Sequence, residues 1–498
     1  MPEILRRAVV PGALAGLVGG VVFGAAMHEL GTLDSIATIA RASGSVAAAF
    51  VHMTIAALVG IGFGLLVWRQ RPSAGETVLW GLTYGAFFWF VGPLTLRPVF
   101  VDAPIGWNLA AAQGAFAGLI GHLLYGVAAA LAFVALRRRD YAAAGHLGVS
   151  RGSLVRGGLA GVAAAALLTA TVGTDHELAE AWTSQSGLPG DAAWLAALVV
   201  GLACGLVYAL LYPRPVGGVG SSLTRGAAYG FLFWIVAALS VLPVLDGRGL
   251  TWSLDGAQEA FTSFPTYLFL GIGVGVLYHW LDGLVRLLFS DDVRGHASEG
   301  AGVEGLYALT RGGFAGLAGG LLFTLVMIQI DWLPRIASFV GSGSTVAAVF
   351  LHLGIATLIG ASYGVLFRRQ SYDLGSATGW GLTYGFCWWV LGALTLFPVF
   401  LGAEPKWDAA SAANAFPSLV GHLVYGAGLG ITFYLLESRS NPWWVTRTQA
   451  EAARQASRRD QMLTSAPALW ALMIFIALAI PLLLAKTGEP PAPGDLYY

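Results

Sequence analysis

The sequence predicts an all-α integral membrane protein made of three tandem, parallel four-helix repeats and one further transmembrane helix at the C-terminal end. Three observations predict this fold class: charged residues are scarce, thirteen apolar runs are long enough to cross a bilayer, and a pattern of glycine, histidine and tryptophan recurs along the chain. The runs must be helical, because an isolated strand in lipid would leave its backbone groups without hydrogen bonds.

The composition places most of the protein surface in lipid. Hydrophobic residues make up 56% of the chain and charged residues 11%, whereas soluble domains carry about 25% charged residues. The formal net charge is zero, which argues against a nucleic-acid partner. Cys204 and Cys387 lie in apolar runs and outside any CxxC motif, so the sequence supports neither a disulfide nor a thiolate metal site.

Each apolar run is about 20 residues long, which is the length that crosses the hydrocarbon core of a bilayer. Charged or Pro- and Asn-rich stretches separate the runs. The runs centre near Gly20, Val59, Trp89, Tyr125, Ala165, Cys204, Trp234, Ile272, Leu322, Ala361, Trp389, Gly426 and Ile476.

The distribution of cations predicts the orientation, because cytoplasmic loops carry an excess of Lys and Arg. With thirteen spans and a cytoplasmic N-terminus, 21 of the 27 Lys and Arg residues fall in cytoplasmic segments. The six in outer segments are Arg41, Arg97, Arg248, Arg335, Lys406 and Lys486. We therefore expect the N-terminus inside, the C-terminus outside, and a location in a bacterial plasma membrane.

Repeats 1 and 3 align without gaps at an offset of 300 residues. Residues 80–100 read WGLTYGAFFWFVGPLTLRPVF and residues 380–400 read WGLTYGFCWWVLGALTLFPVF, with 14 of 21 positions identical. GHLLYG at 121–126 returns as GHLVYG at 421–426. Four spans in each repeat would insert all the copies in the same orientation, as parallel repeats do.

Repeat 2 is degenerate. Its second half aligns with repeat 1 at an offset of 145 and keeps the tyrosine, tryptophan and proline positions. Tyr267 replaces His122, and Ala193 stands opposite His52. The predicted organisation is repeat 1 at 1–140, repeat 2 at 141–300, repeat 3 at 301–437, an interfacial cytoplasmic helix at 438–466, span 13 at 467–486 and an outer tail at 487–498.

Glycines spaced four residues apart recur in the first span of the repeats, for example Gly12, Gly16, Gly20 and Gly24. This spacing puts small residues on one helix face and predicts close helix packing. Together with the GLTYG and GHLxYG segments, the pattern resembles small uncharacterised four-helix membrane proteins of the YagU-like kind, here in three tandem copies. The resemblance implies a four-helix membrane fold and carries no expectation about activity.

The candidate site residues are His52, His122, His352 and His422, which form one pair in repeat 1 and one in repeat 3. Two facing imidazoles can ligate haem b axially, and they can also hold a copper or zinc ion or contact a polar ligand. A membrane histidine can equally hydrogen-bond a neighbouring helix. The sequence leaves these alternatives open.

Three function classes compete. The first is a non-catalytic polytopic scaffold or subunit of a larger membrane complex, with haem bound in repeats 1 and 3 and other subunits contacted through the C-terminal helix. The alternative is a channel or transporter for a neutral or apolar small solute. A membrane enzyme has the least support, because no P-loop, HExxH motif or nucleophile elbow occurs.

The cation distribution generates a topology prediction. A reporter fused after Arg139 should lie in the cytoplasm, and one fused after Tyr498 should lie outside, because an odd number of spans separates the two positions. Compartment-specific reporter activity measures this directly. Both reporters on the same side would contradict the thirteen-span topology.

Overall fold

A computed structural model describes residues 2–70, 73–143, 148–172, 193–289, 301–439 and 446–485, and within these ranges the chain forms helices and no strand. Thirteen of these helices are long and apolar enough to cross a membrane, and each contains one of the predicted centres. Spans 1–13 are Leu5–Glu29, Ser45–Val67, Ala74–Phe100, Phe116–Leu136, Arg151–Thr171, Ala193–Leu211, Val219–Leu245, Leu254–Leu284, Glu304–Gln329, Thr345–Phe367, Leu374–Phe400, Phe416–Ser438 and Ala466–Leu483. The predicted all-α multi-pass fold is therefore confirmed, whereas the outer tail lies outside the described residues.

Polar residues at the loop ends fix where several spans begin. The Ser73 side chain accepts a hydrogen bond from the backbone N–H of Glu76 at the start of span 3. Asp373 forms a reciprocal capping box with Ser376 at the start of span 11. Such caps satisfy backbone donors that have no partner inside the helix.

The chain divides into two compact units. Unit 1 comprises Met1–Arg214, Ala227–Val274 and Met462–Phe475, and unit 2 comprises Pro215–Gly226, Gly275–Gln461 and Ile476–Tyr498. Repeat 1 belongs to unit 1, repeat 3 belongs to unit 2, and repeat 2 contributes residues to both.

Within repeat 1, span 1 packs against spans 2 and 4, and span 3 packs against span 4. Tyr84 of span 3 closes the bundle by donating a hydrogen bond to the Val59 carbonyl of span 2 at 2.7 Å. Repeat 3 has the same pairings among spans 9–12, with Tyr384 donating to the Ile359 carbonyl at 3.1 Å.

Glycine allows the first two spans of each repeat to touch backbone to backbone. In repeat 1, a Cβ atom added to Gly16 would lie 2.2 Å from the Ala56 carbonyl oxygen. In repeat 3, a Cβ atom on Gly360 would lie 2.4 Å from the Gly312 carbonyl oxygen. In repeat 2, one on Gly161 would lie 1.9 Å from the Gly201 carbonyl oxygen. Side chains larger than hydrogen do not fit at these helix crossings.

The third span of each repeat changes from α-helix to a π-helical segment, at Gly92–Leu96, Ala237–Val241 and Trp389–Leu396. A short α-helical turn that contains a proline follows each segment. A π-helix widens the backbone turn and is often found at functional sites. The widened segment recurs at corresponding sequence positions.

Span 13 is anchored to repeat 1 within unit 1. The buried carboxylate of Glu76 accepts a hydrogen bond from the Ser465 N–H at the start of span 13, where the helix dipole favours a negative charge. Thr83 donates a hydrogen bond to the Ala468 carbonyl at 2.8 Å. These contacts make the first half of span 13 part of the bundle, which reduces the surface that this helix can offer to another subunit.

The glycine contacts predict a position-dependent cost of adding a methyl group to span 10. Gly360→Ala should lower the free energy of unfolding by about 1–3 kcal/mol, because backbone atoms of span 9 occupy the space that the methyl needs. Gly354→Ala is the matched control in the same span, since a Cβ atom there meets nothing within 4 Å. Thermal unfolding in detergent measures both variants. Equal stability of the two variants would contradict the observed packing.

Candidate functional site

Each predicted histidine pair gathers around one phenylalanine. In repeat 1, the Phe23 ring of span 1 contacts His52 of span 2 and His122 of span 4 edge-on, with ring-centroid distances of 5.6 and 4.9 Å. In repeat 3, Phe323 makes the same contacts with His352 and His422 at 5.1 and 4.8 Å. The structure therefore brings each pair together, with an aromatic ring that touches both imidazoles.

Three of the four histidines are hydrogen-bonded to backbone carbonyls. His52 Nε2 lies 2.9 Å from the Gly20 oxygen, and His122 Nδ1 lies 2.7 Å from the Gly118 oxygen. His422 Nδ1 lies 2.8 Å from the Ser418 oxygen. A carbonyl only accepts hydrogen bonds, so each of these ring nitrogens carries the proton. Two of the bonds lie within span 4 or span 12, whereas the His52 bond joins span 2 to span 1.

His352 differs because Thr324 stands where repeat 1 has Gly24. The Thr324 hydroxyl donates to the Gly320 carbonyl at 2.8 Å and lies 3.0 Å from His352 Nδ1. Since its proton is directed to the carbonyl, the hydroxyl accepts from the imidazole. The Thr324 hydroxyl is thus bonded to the Gly320 carbonyl, which corresponds to the Gly20 carbonyl that His52 bonds in repeat 1. One glycine-to-threonine difference redirects the imidazole hydrogen bond from a carbonyl to a hydroxyl.

This arrangement does not fit a porphyrin between the imidazoles. Axial ligation requires both rings to face a flat cofactor, with one nitrogen of each on the iron. The Phe23 ring instead packs against both imidazoles and against span 4, so tightly that a Cβ atom on Gly121 would lie 1.9 Å from its Cε2 atom. Across the described residues, no group of three or more His, Cys, Asp and Glu is arranged to hold a metal ion. Haem binding stays a prediction, and this packing does not favour it.

Repeat 2 fills the corresponding positions without imidazoles. Ala193 and Tyr267 are both buried, and the Tyr267 ring packs edge-on against Phe233 with a centroid distance of 5.1 Å. The four-helix packing of a repeat is thus compatible with either set of side chains.

A second recurring cluster lies beside the π-helical segments. In repeat 1, the Thr95 hydroxyl donates to the Phe90 carbonyl at 2.9 Å and accepts a hydrogen bond from the Trp107 indole at 3.0 Å. The same pair of bonds joins Ser240, Ile235 and Trp252 in repeat 2 and Thr395, Val390 and Trp407 in repeat 3. Each cluster ties the loop after the π-helical segment back to that segment.

Three tryptophans, Trp107, Trp252 and Trp407, take part in these clusters. Their indoles have specific hydroxyl partners, and the signal is visible in the sequence as a hydroxyl residue twelve positions before each tryptophan. A second tryptophan, Trp89, donates to the Ala115 carbonyl at 2.9 Å, and Trp234 and Trp389 donate to Ala260 and Ala415. All of these bonds stay within one repeat.

A cavity of about 230 Å³ lies beside the π-helical segment of repeat 2, within unit 1. Asp246, Arg248 and Glu259 line it together with Tyr267. Arg248 is paired with Asp246 at 3.1 Å, so the cation is partly neutralised locally. The aligned positions in repeat 1 hold Val101, Ala103, Gly114 and His122, so this polar lining belongs to repeat 2.

Comparisons with protein-family models, with curated proteins and with solved structures give no match for this chain. The resemblance to YagU-like proteins therefore stays a prediction, and function must be inferred from the residues themselves. The acidic sequence around His176, which is typical of a solvated helix start, lies outside the described residues.

The Thr324–His352 bond predicts non-additive effects of two substitutions. Thr324→Val and His352→Leu should each destabilise the protein, and their coupling energy should be about 0.6 kcal/mol and at most about 1.7 kcal/mol, as for other hydrogen bonds between membrane helices. Thr310→Val is the control, because this exposed threonine on span 9 bonds only to carbonyls of its own helix. Equilibrium unfolding of the four-member cycle measures the coupling. Strict additivity would show that the imidazole and hydroxyl do not interact.

Proposed function

We propose that the protein is a non-catalytic membrane scaffold or subunit. The observation that supports this most directly is that the recurring polar side chains form hydrogen bonds inside the protein. The paired histidines, the recurring tyrosines, and Trp89 and Trp107 with their counterparts form hydrogen bonds within their own bundle. The tyrosine bonds and the His52 bond join different spans, so they fix the distances between helices, which is what a rigid membrane support requires.

A tyrosine of the third span forms such a hydrogen bond in all three repeats. Tyr84, Tyr229 and Tyr384 occupy the same position in the three repeats, and each donates to a carbonyl of the second span, at 2.7, 2.9 and 3.1 Å. Tyr125 and Tyr425 donate to the Ala56 and Ala356 carbonyls, both at 2.7 Å. Buried tyrosines need such partners, because an unpaired hydroxyl in an apolar interior is destabilising.

The surface proposed for a partner lies on span 2 and span 10 rather than on span 13. Val46, Phe50 and Leu58 of span 2 have exposed fractions of 87, 74 and 62%. Val346, Phe350 and Leu358 of span 10 have fractions of 65, 73 and 74%. Leu478 and Leu482 of span 13 reach only 37 and 39%. The bilayer covers these faces unless another membrane subunit displaces it.

A photocrosslinking amino acid at position 350 in native membranes should give a discrete protein adduct larger than the 52.0 kDa chain, because this side chain points away from its own bundle. Position 348 is the matched control on the same helix, since Ala348 is completely buried. Lipid adducts alone at position 350 and at position 50 would contradict a subunit contact on these faces.

Two further measurements on the purified full chain separate this proposal from its alternatives. A scaffold without cofactor should show no Soret band, and liposomes that contain it should pass neutral solutes at the rate of protein-free liposomes. A Soret band that His122→Ala removes would establish haem binding. Solute flux above the protein-free rate would show that the protein is a transporter rather than a scaffold.

A further inference from the structure

Unit 2 contains a second cavity of about 600 Å³ at the arginine-rich end of repeat 3. Its walls are the end of span 12, the residues that precede span 11, and the polar helix Arg447–Met462. The charged residues in its lining are Arg439, Arg447, Arg454, Arg458, Asp373 and Glu451. Four guanidinium groups and two carboxylates leave the lining with an excess of two positive charges.

The polar helix is held in place over this cavity. The Thr446 hydroxyl accepts from the Gln449 N–H, and the Gln449 side chain accepts from the Thr446 N–H, so the helix begins with reciprocal caps. Farther along the helix, Arg458 forms an ion pair with Asp373, and Gln461 donates to the Gln370 carbonyl at 3.1 Å. These contacts join the helix to the residues that precede span 11 and keep its arginines at the cavity.

Two of the guanidinium groups have carboxylate partners in the lining. Arg458 pairs with Asp373, and Arg447 pairs with Glu451 at 3.2 Å across one helical turn. Both carboxylates of the lining are thereby used in ion pairs. An anion that enters the cavity would meet a net positive lining, and guanidinium groups suit phosphate because they donate parallel hydrogen bonds to two of its oxygens.

We propose that this cavity binds the phosphate headgroup of an anionic phospholipid. Basic pockets at the ends of membrane helices bind such headgroups, and this volume lies in the range of small-molecule sites. Apolar side chains adjoin the lining and favour a lipid over a soluble phosphate compound. Leu374, next to Asp373, has an exposed fraction of 53%, and Leu435, next to Tyr434, has one of 41%. Both lie at span ends, where acyl chains meet headgroups.

The aligned end of repeat 1 provides the comparison. Arg139 corresponds to Arg439 at the offset of 300 and is exposed, but it does not belong to the lining of this cavity. Arg459 lies on the polar helix beside Arg458, is exposed, and is also outside the lining. Arg139→Gln with Arg459→Gln therefore removes as much charge as Arg439→Gln with Arg454→Gln and leaves the cavity intact.

The experiment titrates the full chain in zwitterionic detergent with a short-chain phosphatidylglycerol and measures binding from the lipid-dependent shift in the unfolding temperature. The double variant R439Q/R454Q should bind about tenfold more weakly or worse, because it removes two of the positive charges that attract an anionic lipid to the lining. The control R139Q/R459Q should change the affinity less than about twofold. Glu451→Gln should tighten binding, because it removes a negative charge from the lining.

Three results would overturn the proposal. Binding of phosphatidylcholine of the same chain length as tightly as phosphatidylglycerol would show that charge has no role. A loss of affinity in the control variant as large as that in R439Q/R454Q would show that only the overall charge matters. Inorganic phosphate that displaces the lipid at equal concentration would assign the cavity to soluble phosphate compounds. If R439Q/R454Q does not fold, the Glu451→Gln variant decides, and unchanged or weaker binding there contradicts the proposal.

Discussion

The close approach of helix backbones in lipid is the constraint on which the rest of this structure depends. Lipid tails are as apolar as leucine, so burial of apolar surface gives little drive for two membrane helices to associate. Gly16 and Gly360 lie where an added Cβ atom would meet a carbonyl oxygen at 2.2 and 2.4 Å. Close packing supplies the dispersion contacts that hold the pairs together. It also brings carbonyls of one span within reach of side chains on the next.

Polar side chains add hydrogen bonds to the close helix contacts that the glycines allow. A tyrosine on the third span reaches a second-span carbonyl in every repeat, and a tryptophan secures the loop beside each π-helical segment. In repeat 1, the Phe90 carbonyl, two residues before the π-helical segment, accepts a hydrogen bond from the Thr95 hydroxyl. The hydroxyl then accepts from the indole, so one residue links the widened turn to the loop that follows.

The sequence predicted the features that depend on local pattern. Apolar length located all thirteen spans, and the glycine spacing anticipated the contact faces. It did not reveal Phe23 as the shared neighbour of His52 and His122, because nothing in the spacing of three distant segments fixes how their side chains meet. The bond between Glu76 and Ser465 was invisible for the same reason, since 389 residues separate them.

The three repeats share the tyrosine and tryptophan hydrogen bonds but differ in the side chains at the histidine positions. Repeat 2 keeps the tyrosine and tryptophan bonds while Ala193 and Tyr267 replace the histidines, so the imidazoles are not a condition for building a four-helix bundle. Repeats 1 and 3 keep the imidazoles but give His52 and His352 different hydrogen-bond partners. In a histidine metal site, the hydrogen bond of one ring nitrogen fixes which nitrogen is left for the metal. His52 bonds through Nε2 and His352 through Nδ1, so the two copies would offer different nitrogens to a cofactor. The difference between the copies therefore favours a packing role, in which any satisfied partner serves.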